Sequence, residues 1–213
     1  MKYEEYISVL TASALFAGIK AVHINEILME LNARTREYEN GEFIVHSGDK
    51  MKHLYLVLTG HAVIFKDDYW GNRSIISKAD PSQSFGVSYA LSSDSISEVN
   101  VCAEDRTKVM LLDVKKLTEN GQLARNLITI LSDRNIYLSG KIEHISQRRL
   151  RDKILSYLSD VSRKKNACSF EIPFSRKQLA DFLNSDRSAL SNELCKLRDE
   201  GIIRFEKNRF TLL

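Results

Sequence analysis

At 213 residues, with 43% apolar and 28% charged side chains, the chain has the make-up of a globular protein of one large domain or two modest ones, and is neither low-complexity nor disulfide-rich. The formal net charge of +3 is small, yet residues 147–213 hold 15 Lys and Arg against 9 Asp and Glu, net +6, while residues 1–146 hold 16 against 19, net −3. A localised positive excess suits the release of phosphate counterions, and an acidic front half excludes a nonspecific polycation.

In chain order, residues 1–32 read as mostly helical and amphipathic, with a break at Leu15-Phe16-Ala17-Gly18-Ile19. From Arg34 the period changes to two and a β domain begins. Phe43–Val45, Leu54–Leu58 and Ala62–Phe65 are short strands punctuated by Gly41, Gly48, Gly60 and Gly71, the cadence of an antiparallel barrel or roll that encloses a cavity. Ser74–Ile76, Val99–Ala103 and Lys108–Asp113 fit further strands, and the serine-dense segment Ser82–Ser97 reads as loop.

After Asp113 the pattern returns to helix. From Leu123, the residues Leu127, Leu131, Leu138, Ile142 and Ile145 fall on a seam interrupted by Arg134, so residues 114–146 are expected to form a helix of about 30 residues, long for a domain of this size. Such a helix either lies on its own roll or pairs with its copy in a second subunit, and the heptad-like spacing favours the pair. Residues 147–165 supply the opening helix of a third region, 147–213, with Leu150, Ile154, Leu155 and Leu158 facing inward.

The stretch 174–213 carries the strongest local signals. Ser175 and Gln178 form a reciprocal capping box ahead of Leu179, Phe182 and Leu183, and Asn184 stands where a tight turn needs a residue that tolerates positive φ. Ser185 or Asp186 caps a second helix with the buried stripe Leu190, Leu194 and Leu197. Its outward positions Arg187, Ser188, Ser191, Asn192 and Lys196 are of the types that bond base edges and phosphates rather than fill a core. Gly201 ends the helix, and Ile202–Phe205 and Arg209–Leu212 alternate around Glu206-Lys207-Asn208 as a hairpin. Two short helices across a turn, followed by a small ribbon, read as a winged helix-turn-helix that binds double-stranded DNA.

Cys102, Cys168 and Cys195 are too few and too dispersed for a disulfide framework or a four-ligand zinc site, and are expected to be buried small residues. The first residues, Met1-Lys2-Tyr3-Glu4-Glu5-Tyr6, include acids and no apolar core of a leader, and no run approaches about 18 apolar residues; the expectation is a cytoplasmic protein with no membrane partner. His46, His53 and His61 are scattered through the roll and are expected to be solvated rather than to hold haem or a metal. No nucleophile–base pair, phosphate loop or metal-spaced cluster is visible, so no catalytic residue is assigned and no enzyme is expected.

A roll of Gly-punctuated strands, a long helix and a basic winged helix-turn-helix, in this order, resemble the Crp/Fnr family of bacterial transcription regulators over essentially the whole chain. The residues that carry the likeness are Leu15–Ile19, Gly41-Glu42-Phe43-Ile44, Gly48-Asp49, Leu54–Gly60, Phe85-Gly86 and Ser175–Ile203. The resemblance implies an α+β fold: an antiparallel β-roll of the cyclic-nucleotide-binding jelly-roll kind with N-terminal helices (1–113), a long dimerisation helix (114–146) and a winged helix-turn-helix (147–213). It implies an effector-responsive homodimer that binds an inverted-repeat operator and contacts RNA polymerase. Arg187 and Ser191 match positions that the family uses on base edges, with Arg187 suited to guanine and Asn192 to adenine, whereas Ser188 and Asn192 replace a glutamate and an arginine of well-known members. Arg176, Lys177 and Lys196 are assigned to the phosphates, and Ser175 is placed among the DNA-binding residues.

Members that bind cyclic AMP use a Gly-Glu segment for the ribose and an Arg-Ser pair for the phosphate; here the matching positions read Gly86-Val87 and Ser97-Glu98. Loss of the guanidinium, with a carboxylate nearby, argues against cyclic AMP. Iron–sulfur members carry an N-terminal cysteine cluster, and no cysteine precedes Cys102, so no cluster is expected. The remaining expectation is an effector pocket of Phe85, Gly86, Val87, Ser88, Tyr89 and Ser97, closed by Leu138 and Ser139 of the long helix, for a small neutral or weakly polar molecule or for none. The competing function is a winged-helix protein-interaction module whose roll binds a small molecule and which reads no DNA.

Overall fold

The core of the N-terminal half is built around one strand whose two faces are both covered. The computed structural model describes residues 3–70 and 73–213; Met1, Lys2, Gly71 and Asn72, including the glycine expected to punctuate a strand, lie outside the described residues. The chain divides into two units, Met1–Ser132 and Asp133–Leu213.

The first unit opens with single 3-10 turns at Glu4–Tyr6 and Ala14–Phe16 and with helices α1 (Ile7–Ala12) and α2 (Ala21–Glu30). The break between the helices is pinned, because the Asn126 amide donates to the carbonyls of Leu15 (2.8 Å) and Ala17 (2.9 Å). Two four-stranded antiparallel sheets follow. In one, β1 (Arg34–Tyr38), β8 (Thr107–Asp113), β3 (His53–Thr59) and β6 (Ser84–Phe85) are neighbours in that order; in the other, β2 (Phe43–Val45), β7 (Asn100–Ala103), β4 (Ala62–Asp67) and β5 (Arg73–Ala79). Along β3, Leu54, Leu56 and Leu58 pack into the core shared with the helices, and Tyr55 and Val57 into the core shared with the second sheet. That is why this segment is a near-continuous apolar run rather than an alternating one. Each such side chain contributes about 1.5–3 kcal/mol by burial. Gly60 turns β3 into β4 at φ +74°, where a Cβ would stand 2.6 Å from the Arg106 carbonyl, so no larger residue fits.

The helix expected over 114–146 is two helices, α4 (Val114–Glu119) and α5 (Gly121–Ile145), the latter of 25 residues. Asn120 divides them: its extended backbone ends α4, and its side chain accepts from the amides of Gln122 and Leu123 to start α5. Leu127, placed on the seam from sequence, is instead buried with Leu123 in the core of its own unit, and it is Ile128 that is exposed.

The second unit contains α6 (Leu150–Lys165), β9 (Ser169–Glu171), α7 (Arg176–Phe182), α8 (Arg187–Asp199), β10 (Ile203–Glu206) and β11 (Arg209–Leu212), with the strands ordered β10-β11-β9. Ile154, Tyr157, Leu158, Leu179, Leu190, Leu194, Leu197, Ile203 and Phe210 form its core. The cysteines are less buried than expected: Cys168 is exposed, and Cys102 and Cys195 are half-buried. Among the described residues, no helix is long and apolar enough to cross a membrane.

Candidate nucleic-acid interface

Three local devices fix α8 as a presented helix. The capping box forms as expected, with Ser175 Oγ accepting from the Gln178 amide (3.3 Å) and Gln178 Oε1 accepting from the Ser175 amide (2.8 Å). Asn184 turns the chain at φ 50°. Of the two residues able to cap α8, Asp186 does so: its carboxylate accepts from the amides of Ser188 (2.7 Å) and Ala189 (3.1 Å), while the Ser185 hydroxyl bonds back to the Ala180 carbonyl. These bonds, led by the Ser188 hydroxyl, hold the Asp186 carboxyl below the usual carboxylate range. Leu190, Leu194 and Leu197 are fully buried, so the opposite ridge of α8 is forced outward. Arg151 of α6 grips the far end of α8, donating to Glu200 Oε1 at 2.9 Å.

Around the outward surface of α8 the side chains differ in what they still have to offer. Arg187, Asn192 and Lys196 are exposed, Lys196 sharing only a 3.6 Å ion pair with Glu193. The Ser188 hydroxyl is engaged by Asp186, and the half-buried Ser191 donates to the Arg187 carbonyl at 2.9 Å. Both serines have spent their protons inside the helix and present lone pairs, which suit the amino groups of adenine or cytosine. Lys177 is exposed at the start of α7, but Arg176 is not a free cation. Its guanidinium lies over Phe205 (4.7 Å) and Phe210 (5.0 Å), ties α7 to the β10–β11 hairpin, and has its pKa lowered by burial. Sequence reasoning left out the hairpin's own cations, Arg204, Lys207 and Arg209, all exposed; their spacing along a ribbon already read as the wing was the available signal. Lys207 and Asn208 at the hairpin tip, with Pro173, Phe174, Ser175 and Arg176, line a groove of about 420 Å³.

The residues expected to line an effector pocket are only partly brought together. Phe85 is buried and stacks on Tyr55 (5.2 Å between centroids), and Gly86, at φ +85°, lies where a Cβ would meet Met51 Cε at 2.8 Å. Tyr89 packs on the same cluster. Val87, by contrast, is buried in the helix-side core and faces away from the roll interior, and Ser88 is exposed. Ser97 is buried and donates to the Val99 carbonyl at 2.8 Å, while Glu98 pairs with Lys66 at 2.9 Å, the bond that holds its carboxyl below the usual range. Leu138 and Ser139 are exposed on α5, in the second unit. Of the histidines, His61 bonds Asp105 at 2.8 Å, an interaction that raises its pKa, whereas burial, aided by Arg34, Arg36 and Lys52, lowers that of His53. Burial also pushes the Cys102 thiol up, which makes it a poor nucleophile.

Residues 35–120 match the cyclic nucleotide-binding domain family, and residues 149–213 match the Crp-like helix-turn-helix domain family. The chain belongs to the Crp/Fnr family. Among Crp/Fnr relatives, the transcriptional activator protein FnrL of Cereibacter sphaeroides is 24% identical over 193 residues, covering 84% of this chain and 75% of the relative. The global nitrogen regulator of Synechococcus elongatus is 23% identical over 194 residues, 86% of this chain and 87% of the relative. The crystal structure of the Thermus thermophilus catabolite activator protein shares the fold, with a TM-score of 0.57, 22% identity and 94% of each chain covered. As a Crp/Fnr protein with this reader, the chain is a DNA-binding transcription regulator, and its β unit is of the cyclic nucleotide-binding type.

Proposed function

We propose that two copies of the chain bind one inverted-repeat operator, each laying α8 in a major groove. The single observation that carries this is the exposed surface of α8 with Arg187, Asn192 and Lys196, left outside by the fully buried Leu190, Leu194 and Leu197. In this reading, Arg187 reads guanine, Asn192 reads adenine, and Ser188 and Ser191 accept from base amino groups. Ser175, Lys177, Lys196 and the wing cations Arg204, Lys207 and Arg209 hold the phosphates, the backbone running beside the groove at the wing tip. Arg176 acts by fixing the wing. RNA polymerase, the partner implied by the family, is contacted from this DNA-bound dimer in the cytoplasm, and the chain is not an enzyme.

Cyclic AMP is not the effector in this reading. Support comes from the phosphate side, where the buried Ser97 hydroxyl is turned to a main-chain carbonyl and Glu98 presents a carboxylate held by Lys66, and from the ribose side, where Val87 points into the other core. An iron–sulfur cluster is not proposed either, because three dispersed thiols do not supply four thiolates. Fluorescence anisotropy with labelled operator DNA tests the DNA reading and the exclusion of cyclic AMP. The logarithm of the binding constant should fall linearly with the logarithm of salt concentration, and cyclic AMP should leave the curve unchanged. Salt-independent binding would favour a protein-interaction role for the winged helix, and tighter binding with cyclic AMP would overturn the effector assignment.

A further inference from the structure

We propose that Asn135 sets the register and two-chain stoichiometry of α5 pairing by bonding, across the seam, to the same side chain of a second copy; this rests on the homodimer reading above. Residues 128, 131, 135, 138, 142 and 145 follow one another at spacings of three and four, a seven-residue repeat down one stripe of α5. Its first positions are Ile128, Asn135 and Ile142, and its fourth positions Leu131, Leu138 and Ile145. Ile128, Leu138 and Ile142 are 64%, 44% and 59% exposed and Asn135 is exposed too, so most of the stripe is open within the chain, while Leu131 packs partly on the core of the first unit and Ile145 is half-buried. The stripe is also separate from the side of α5 turned to Phe182: Tyr137 and His144 pack against that ring, Lys141 stands over it, and these three residues lie about a third of a turn away.

β-branched residues at the first heptad position with leucine at the fourth favour two strands, and a single polar residue at a first position fixes register at some cost in stability. Asn135 is the one polar residue in this stripe, and its amide has only a contact at 3.5 Å from the Ser139 hydroxyl. Inside a dry seam a primary amide must find a partner, and having both a donor and an acceptor it is its own complement across a two-fold axis. A slip of one heptad would set Asn135 against Ile128 or Ile142 and strand two amides. The flanking positions do not compete for this role. Arg134 and Lys141 precede first positions, and Ser132, Ser139 and Ser146 follow fourth positions, so a parallel pair sets cations against serines with no opposite charges to select a register. An antiparallel pair would set cation against cation.

The experiment mixes isotope-labelled wild-type chains with full-length Asn135→Ile under subunit exchange and weighs the dimers by native mass spectrometry. Asn135→Ile should associate about tenfold more tightly with itself. Mixed dimers should fall at least about fivefold below the half expected from random pairing, because each leaves one amide unpaired. Ile136→Asn, an exposed change off the stripe, should leave mixed dimers at one half. Random mixing of wild type with Asn135→Ile overturns the role of Asn135 while leaving the homodimer standing. Absence of dimers of any composition overturns both.

Discussion

Arg187, at the start of α8, and Lys196, near its end on another side, are both exposed, the first offering a planar fork and the second a point charge. Arg187→Ala should relax discrimination at one base pair and cost roughly 1–3 kcal/mol on the preferred site. Lys196→Ala should weaken all sequences alike and reduce the salt slope by about one. Titration of both variants against the selected and a scrambled site separates them, and equal losses on the two sites for Arg187→Ala would count against base readout. Asp186 gives the ridge a pH limit. Its carboxyl is held below its ordinary value by hydrogen bonds in the folded state, so the cap contributes fully above the unfolded carboxylate range and is lost as pH falls through the folded value. Helicity followed by circular dichroism should therefore be steady from neutral pH down to the carboxylate range and fall below it, and Asp186→Asn should remove its share of that fall.

Between helices and strands, what holds the interface is aromatic. Phe205 and Phe210 are covered by Arg176 from α7, and Arg198 of α8 approaches Phe205 at 5.9 Å, so the wing is fastened by cations, one of which, Arg176, the sequence assigns to DNA. Arg176→Ala should speed amide exchange across β10 and β11 more than Lys177→Ala does, and equal protection in the two variants would contradict the fastening. This distinction was not legible in the sequence, because stacking of Arg176 depends on where the hairpin folds back. The capping box at Ser175, the turn at Asn184 and the leucine stripe of α8 were legible, since each is a chemical requirement met within a few neighbouring residues. β6, α3 (Val87–Ala90) and β9 were not: they span two to four residues each, and the strands that β6 and β9 pair with are distant in sequence. The break at Asn120 was missed because apolar periodicity continues through it, and Leu127 was misplaced because Ile128 beside it competes for the same seam. The direction of Val87 follows from the left-handed turn at Gly86, which spacing alone does not reveal.

Across the whole molecule, the sequence order of roll, long helix and basic reader carried the family, and the charge division between residues 1–146 and 147–213 carried the partner. The roll itself says less about its effector: the Ser97 hydroxyl is engaged by the Val99 carbonyl, and Glu98 by Lys66. The central claim is that a single rigid ridge is presented twice to one duplex. Selection of bound fragments from a random DNA pool at fixed salt tests it most directly. The account predicts enrichment of an inverted repeat whose half-site centres lie about one helical turn, ~34 Å, or a multiple of it apart. Enrichment of a lone unrepeated site, or none over the starting pool even at low ionic strength, would contradict it.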